Sequence, residues 1–363
     1  MKLLVQPSDG VAPLVQAINK AKSRVEIAIF RLDRQEIEKA LADAASRGVF
    51  VHALIAYTNR GGEQNLRKLE MRLLAAGVTV ARTADDLIRY HGKYMIIDRR
   101  ELFVLSFNFT RLDIDYSRGF GVITRNRKLV QEAVKLFEAD AHRQPYMAGT
   151  PAFVVSPANA RKQLTQVIRG AKRELLIYDP EVSDPSILRE LEALSKAGVD
   201  IKIIGRVPGR GSSLQVKKLS GLRLHTRSII RDGKLGFIGS QSLRELELGA
   251  RREVGIIFRD PKIVASMNKA FLEDWDAVDR PAAIVEIEKV PQATKVARRV
   301  AKAFAKELPA VTPVLEVVVR ELAVATDATE LDCKTIEDAV KDAVKEAVQE
   351  AVQSAVEQNG IAQ

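Results

Sequence analysis

HGKYMIIDRRELFVLSFN (residues 91–108) and HTRSIIRDGKLGFIGSQS (residues 225–242) are two renderings of one pattern. In each, a histidine (His91, His225) is followed two residues on by a cation (Lys93, Arg227) and seven on by an aspartate (Asp98, Asp232). Eight residues further comes a serine (Ser106, Ser240), and two beyond it a second polar residue (Asn108, Ser242). Side chains two apart on a strand share a face, so each histidine projects beside its cation. The aspartates sit at odd offset and face away. That gives Asp98 and Asp232 a structural or second-shell place and no part in proton transfer. Asp232-Gly233 is a hairpin signal, and Asp98–Glu101 makes the corresponding turn in the first copy. The returning strands carry Ser106, Asn108, Ser240 and Ser242 back to the histidine end, as candidates for binding substrate.

The repetition extends outward from these stretches. AKSRVEIAIF (21–30) is answered by AKRELLIYDP (171–180), and each apolar run reads as a buried strand. SRGVFVHALI (46–55) is answered by KAGVDIKIIG (196–205), where a helix ends at Gly48 or Gly198 and a strand starts at once. RNRKLVQEAVKLFEAD (125–140) matches RDPKIVASMNKAFLED (259–274). The offset is 150 before His91 and 134 from it onward, so the first copy carries an extra segment, assigned to a helix over 63–77. Strands alternating with helices give an α/β fold class, with two homologous halves packed about a pseudo-twofold axis and a site where they meet. The halves are placed at 1–145 and 150–282, joined near Pro145, Gly149 and Pro151. Residues 291–363 form a helical C-terminal extension, with helices at 295–308, at 314–325 and from Asp332. Alanines every four residues from Ala339 to Ala355 make its apolar stripe drift by ~40° per repeat, which argues against a straight coiled coil.

Of the chain's 363 residues, 57 are Lys or Arg and 47 Asp or Glu, a net charge of +10. The surplus lies in residues 1–290, where 48 cations meet 35 carboxylates. Such a body favours a phosphate-bearing partner: nucleic acid, anionic lipid or a nucleotide. Cys333 is the single cysteine, so no internal disulfide and no cysteine metal cluster are expected. No apolar run approaches the ~18 residues of a membrane span. The first ten residues, MKLLVQPSDG, do not read as a secretion signal. A cytoplasmic protein is expected, at most peripheral to the inner face of the membrane.

Two histidines, two cations and a set of hydroxyl and amide donors, without metal-ligand spacing anywhere, suit phosphodiester transfer. One imidazole attacks phosphorus; the other protonates the leaving oxygen and then deprotonates the incoming water or alcohol. Cations hold the non-bridging oxygens. His52 and His142 lack such surroundings and are read as structural. NRGGEQN (59–65) and PGRGSS (208–213) are read as ordinary loops bordering the entrance.

His-x-Lys-x4-Asp, followed after six residues by Gly-Ser-x-Asn, is the pattern these stretches share with the phospholipase D superfamily. The chain resembles that superfamily over roughly residues 1–280, and most of all bacterial cardiolipin-synthase-like members. The resemblance implies a phosphodiesterase or phosphatidyltransferase that works through a phosphohistidine. Catalysis would rest on His91, His225, Lys93 and Arg227, with no cofactor and no metal. It also implies a downstream carboxylate that orients a catalytic histidine, and Glu253 fits. Across the interface Glu253 would accept a hydrogen bond from His91 Nδ1, leaving Nε2 to attack; within its own half it would pair with His225 instead. Three positions depart from the pattern: Arg227 for Lys, Leu105 for Gly and Ser242 for Asn. The first-half equivalent of Glu253 is Gly119, with Asp113 or Asp115 as alternatives to take its role. A nuclease would use the same site, and a catalytically weak phosphate-binding scaffold is the non-enzymatic alternative.

Overall fold

The duplicated pattern folds twice. The computed structural model describes residues 1–57, 63–208 and 214–277. The first half begins β1 (Lys2–Gln6), α1 (Ala12–Lys20), β2 (Arg24–Ile29), α2 (Gln35–Ser46), β3 (Phe50–Ile55), α3 (Glu63–Ala75), β4 (Thr79–Arg82). It continues β5 (Arg89–Tyr90), β6 (Tyr94–Ile97), β7 (Glu101–Leu105), α4 (Arg111–Asp115), β8 (Ser117–Thr124), α5 (Arg127–Ala141). The second half begins β9 (Phe153–Val155), α6 (Ala160–Arg169), β10 (Glu174–Asp179), α7 (Pro185–Lys196), β11 (Asp200–Gly205), β12 (Gln215–Lys217). It continues β13 (Arg223–Leu224), β14 (Arg227–Arg231), β15 (Leu235–Gly239), α8 (Glu245–Gly249), β16 (Arg251–Arg252), β17 (Val254–Phe258), α9 (Pro261–Ala277). The order is the same except that β8 is answered by β16 and β17 together, and that α3, the segment behind the change of offset, has no counterpart. Met1–Thr58 with Leu66–Ala283 make one compact unit that holds both halves; Asn59–Asn65 with Ile284–Gln363 make a second. The helices expected over 291–363, and most of loops 59–65 and 208–213, lie outside the described residues.

Each half builds one mixed sheet: β1-β8-β7-β6-β2-β3-β4 in the first and β12-β11-β10-β14-β15-β17-β9 in the second. Alternation along the strands sorts side chains between two layers. Tyr94 and Ile96 enter a core shared by both halves, while Met95 and Ile97 enter the first half's own core with α1 and α2. Ile230 likewise joins the shared core and Ile229 the second half's own. The shared core also takes Leu136 and Phe137 of α5 and Met267 and Phe271 of α9, so the inner sheet faces and these two helices fuse the halves.

Two short parallel pairings cross the interface. β5 pairs with β16, and β13 with β8. Each involves the two residues just before a motif histidine, and the pairings are related by the 134-residue offset. This is the reciprocal contact a twofold arrangement requires.

The motif hairpins turn through Asp98 and Arg99 (φ 51° and 50°) and through Asp232 and Gly233 (φ 53° and 62°). Two consecutive positive φ values are the two-residue turn whose twist matches paired strands. Of the places left open to the two aspartates, the contacts are those of the structural one. The Asp98 carboxylate accepts the backbone N–H groups of Lys22, Ser23 and Arg24 and the Ser23 hydroxyl at 2.8–3.1 Å. Asp232 accepts those of Lys172, Arg173 and Glu174 at 2.8–3.1 Å. Each clamps the entry of the neighbouring strand, roughly 20 Å along the chain from its histidine, because a side chain facing away from the site meets whatever starts there. Partial burial would raise the Asp98 pKa, but the amides of Arg24, Ser23 and Lys22 outweigh it and hold it below the ordinary value. The clamp is therefore complete above the ordinary carboxylate range and fades as pH falls through the lowered folded value. Asp98→Ala should cost about 2 kcal/mol in chemical denaturation, with the deficit shrinking in strong acid to the strain of an alanine at positive φ.

Candidate active site

The motif histidines lie beyond the C-terminal ends of β2 and β10, where α/β sheets place their ligands. His91 follows β5, and its N–H donates to the carbonyl of Arg252 at 2.7 Å. That contact brings the next residue, Glu253, under the imidazole: both carboxylate oxygens stand 2.9 Å from His91 Nδ1. Glu253 comes from the second half and His91 from the first, so the pair spans the interface. Lys93 Nζ lies 2.8 Å from His91 Nε2 and 2.8 Å from the His91 carbonyl. A proton on Nδ1 shared with the carboxylate and a lone pair on Nε2 facing the ammonium is the arrangement these contacts select. Phe30 closes the site with its ring edge-on, 4.5 Å from the imidazole centroid.

Lys93 and Glu253 are fully buried, and His91 nearly so. Burial holds the His91 pKa well below the ordinary value, and Lys93, Arg227, Arg89 and Arg251 push the same way. The imidazole is thus neutral near pH 7. Burial also depresses Lys93 strongly, against the opposing charge of Glu253. Glu253 is pushed up to about 7 by burial, with Lys93 and Arg251 pulling back.

The second half-site repeats the backbone and changes the carboxylate. His225 N–H donates to the carbonyl of Arg118 at 3.1 Å. Arg227 Nη1 donates to the His225 carbonyl at 2.9 Å, as Lys93 does to His91, and its Nε reaches Ser242 Oγ at 3.3 Å. The position matching Glu253 is Gly119, where an added Cβ would lie 2.9 Å from Phe107 Cδ1. Phe107 has taken the space a carboxylate would need. In its place Asp113 of α4 approaches, with Oδ2 3.4 Å from His225 Nδ1. Asp115 pairs with Arg34 instead. Asp113 also accepts the Asn108 N–H and Nδ2, both at 2.8 Å, and the Arg223 guanidinium at 2.5 Å. Burial would raise its pKa, but His225 and Arg223 hold it well below the carboxylate range. Burial holds the His225 pKa well below the ordinary value too, with Asp113 pulling it up and Arg223, Arg227 and Lys93 pushing it down; Arg227 likewise lowers that of His91.

The remaining polar positions are engaged within the protein. Ser106 and Ser240 are fully buried, and their hydroxyls accept the N–H groups of Phe120 (2.9 Å) and Val254 (3.0 Å). Asn108 is tied to Asp113, and Ser242 faces Arg227. Asp179, at the end of β10, was not singled out by the sequence pattern. It is buried, accepts the N–H groups of Leu243 (2.7 Å) and Glu181 (3.0 Å), and is pushed up to about 7 by burial. A lone carboxylate ending the apolar run LLIY was its only signal. His52 sits between Phe50 and Phe137, and His142 binds the Glu138 carbonyl; neither is among the contacts of the motif histidines. Among the described residues, no group of three or more His, Cys, Asp or Glu is arranged to hold a metal, and no helix is long and apolar enough to cross a membrane.

Comparison with known proteins agrees with the duplicated fold. The family described as cardiolipin synthase, PLD-like domain, matches residues 14–141 and 164–275, one stretch in each half. Cardiolipin synthase A of Proteus mirabilis is 23% identical over 371 residues, covering 84% of this chain and 74% of its own. A polyphosphate kinase of Pseudomonas aeruginosa is 25% identical over 305 residues, covering 74% of this chain and 43% of its own, so this chain spans less than half that length. Among solved structures, the polyphosphate kinase of Porphyromonas gingivalis superposes with a TM-score of 0.63 at 21% identity, over 76% of this chain and 50% of its own. The phosphatidylserine synthase of Haemophilus influenzae gives 0.56 at 10% identity, over 76% and 86%. These two likenesses establish the fold.

The exchange of Gly119 and Phe107 for a carboxylate has a measurable consequence. Gly119→Glu should destabilise the chain by about 1–3 kcal/mol through overpacking. Combined with Phe107→Ala, it should cost less than the two single changes added together, because the cavity of one receives the side chain of the other. Denaturation of the four proteins in the cycle measures this coupling.

Proposed function

Because this chain belongs to the cardiolipin synthase and phospholipase D-like family, we propose that it is a phosphodiesterase that hydrolyses or transfers a phosphatidyl group through a phosphohistidine. His91 Nε2 attacks phosphorus, and the bond from phosphorus to the leaving oxygen breaks. His225, whose charged form Asp113 favours, takes up a proton as the negatively charged substrate enters, and supplies it to the leaving oxygen. Water or an alcohol then gives its proton back to His225 and attacks the same phosphorus. The phosphorus–nitrogen bond breaks and His91 is restored. Lys93 and Arg227 take the non-bridging oxygens, with Lys93 leaving the Nε2 lone pair as the phosphate arrives. Asp113 supports the charge that His225 carries. Ser242 supports Arg227, Asn108 supports Asp113 and Ser240 supports Glu253. The basic surplus of residues 1–290 would favour work at the anionic inner face of a membrane.

The observation that carries this reading is the buried His91–Glu253 contact across the two halves, which leaves a neutral imidazole with its lone pair towards Lys93. A second reading, phosphoryl transfer from polyphosphate, is favoured by the cations around His91: Lys93, Arg227, Arg89 and Arg251.

The test is incubation with labelled phosphatidylcholine, phosphatidylglycerol, DNA or polyphosphate, with EDTA present, followed by rapid quench. Turnover of a phospholipid in EDTA, with label trapped on His91, is the expected result. Label on His225 would reverse the roles, loss of activity restored by a divalent ion would refute the metal-free chemistry, and binding without turnover would leave a scaffold. The pH profile gives a second test. Glu253 must be ionised to hold the His91 proton, so kcat/KM should rise with pH through about 7. Glu253→Gln should lose that limb and about 10³-fold in rate.

A further inference from the structure

Arg252 lies behind the site, and both of its attachments to His91 are made by the chain itself. Its carbonyl receives the His91 N–H at 2.7 Å, and its neighbour Glu253 holds the imidazole. The Arg252 guanidinium points the other way, into the shared interior. Nη2 lies 3.1 Å from Oδ1 of Asp140, in the last turn of α5 in the opposite half, and both side chains are almost wholly buried. Nη1 donates to the Ser156 carbonyl at 3.2 Å. The Tyr90 and Tyr146 rings flank the guanidinium at 5.5 and 5.8 Å.

The same device stands behind the other histidine. Arg118, whose carbonyl receives the His225 N–H, pairs with Asp274 of α9 at 2.7 and 2.8 Å. Arg118 and Arg252, like Asp140 and Asp274, are related by the 134-residue offset. The copies differ in tightness. Asp274 is held by two guanidinium nitrogens and by the Tyr178 hydroxyl at 2.5 Å. On the His91 side the Tyr94 hydroxyl has no hydrogen-bond partner. A cavity of about 20 Å³, lined by Tyr94, Asp140, Arg252, Tyr90, Thr83 and Gly92, lies there instead.

We propose that the Asp140–Arg252 ion pair is the positioning device of the His91 half-site, a looser bolt whose counterpart Arg118–Asp274 is locked. The pair holds the Arg252–Glu253 backbone against β5; when Asp140 takes a proton, Arg252 loses its counter-charge and the His91–Glu253 contact slackens. The groups facing Asp140 are Arg252, Asp86 and the Tyr94 and Tyr146 hydroxyls. Burial dominates and pushes the Asp140 pKa up to about 6, against the pull of Arg252. The bolt is thus closed above that value and opens below it. The proposal rests on His91 as nucleophile only for its effect on rate; the geometry is testable without substrate.

The experiment is proton and ¹⁵N NMR of the full chain with labelled histidine, following the downfield Nδ1–H signal of His91 bonded to Glu253. In the unaltered chain the signal should weaken as pH falls through about 7, where Glu253 takes a proton, and broaden further through about 6, where Asp140 does. Asp140→Asn should broaden or displace it at all pH values, and should lower kcat roughly 10- to 100-fold with little change in KM. Asp140→Glu should restore both. Asp274→Asn, which alters the opposite bolt, should leave the His91 signal in place. An unchanged signal in Asp140→Asn, or an equal change in Asp274→Asn, overturns the proposal. Should Asp140→Asn not fold, Arg252→Lys takes its place, and an unshifted signal there overturns it equally. If no substrate turns over but the signal behaves as expected, the proposed activity falls and the positioning role stands.

Discussion

Two backbone hydrogen bonds across the interface, His91 N–H to the Arg252 carbonyl and His225 N–H to that of Arg118, are the constraint on which the rest depends. Each is the last rung of a two-residue parallel pairing, far too short to be stable alone. The pairings persist because the shared core behind them, with α5 and α9, has already fixed the two sheets face to face. Once those rungs form, the residue after Arg252 can only lie beneath His91. A contact between residues 162 apart in sequence is thereby reduced to a local consequence of strand register.

That register also explains how so many charges are tolerated inside. Burying an isolated ion costs several kcal/mol, which only close partners offset. Lys93 meets Glu253 through His91, Arg223 meets Asp113, Arg251 meets Glu247 at 2.8 Å, and Arg118 meets Asp274. Of these pairs Arg118–Asp274 recurs at the 134-residue offset, as Arg252–Asp140. The two histidines still do not have equal surroundings. Glu253 gives both oxygens to His91, whereas Asp113 divides itself between His225, Asn108 and Arg223. The undivided carboxylate is the stronger activator, which favours a nucleophile on the first half and a proton carrier on the second.

How legible all this was in the sequence depended on distance along the chain. The hairpins were readable because a turn is chosen by two adjacent residues, and α3 because an insertion changes an offset. The twofold arrangement brought Glu253 and His91 together as one of two alternatives, since equivalent residues must exchange partners across an axis. Asp113 and Asp115 stayed undivided at that level. The decision between them lies in Arg34 holding Asp115 while Asn108 and Arg223 hold Asp113 beside His225, side-chain contacts that no periodicity encodes. For Asp98 and Asp232, strand parity said correctly that they face away from the histidines, but it could not say that three strand-entry amides wait there.

Arg252 and Asp140 were missed for a different reason, which the duplication makes clear. A single Arg or Asp in a basic, mixed-charge chain reads as surface, because burial is a property of the assembled halves. Its recurrence is another matter: Arg118 with Arg252, and Asp140 with Asp274, repeat at the histidine offset, while Gly119 and Glu253 between them have diverged. A charged residue kept in both copies of a repeat, next to a position that has changed its chemistry, is under a demand both copies share. The shared demand here is to hold a backbone carbonyl where a histidine N–H can find it. What has diverged is what each histidine is asked to do once it is held. The Arg–Asp bolts belong to the scaffold, and the carboxylates beside the histidines to the division of labour between two copies of one site.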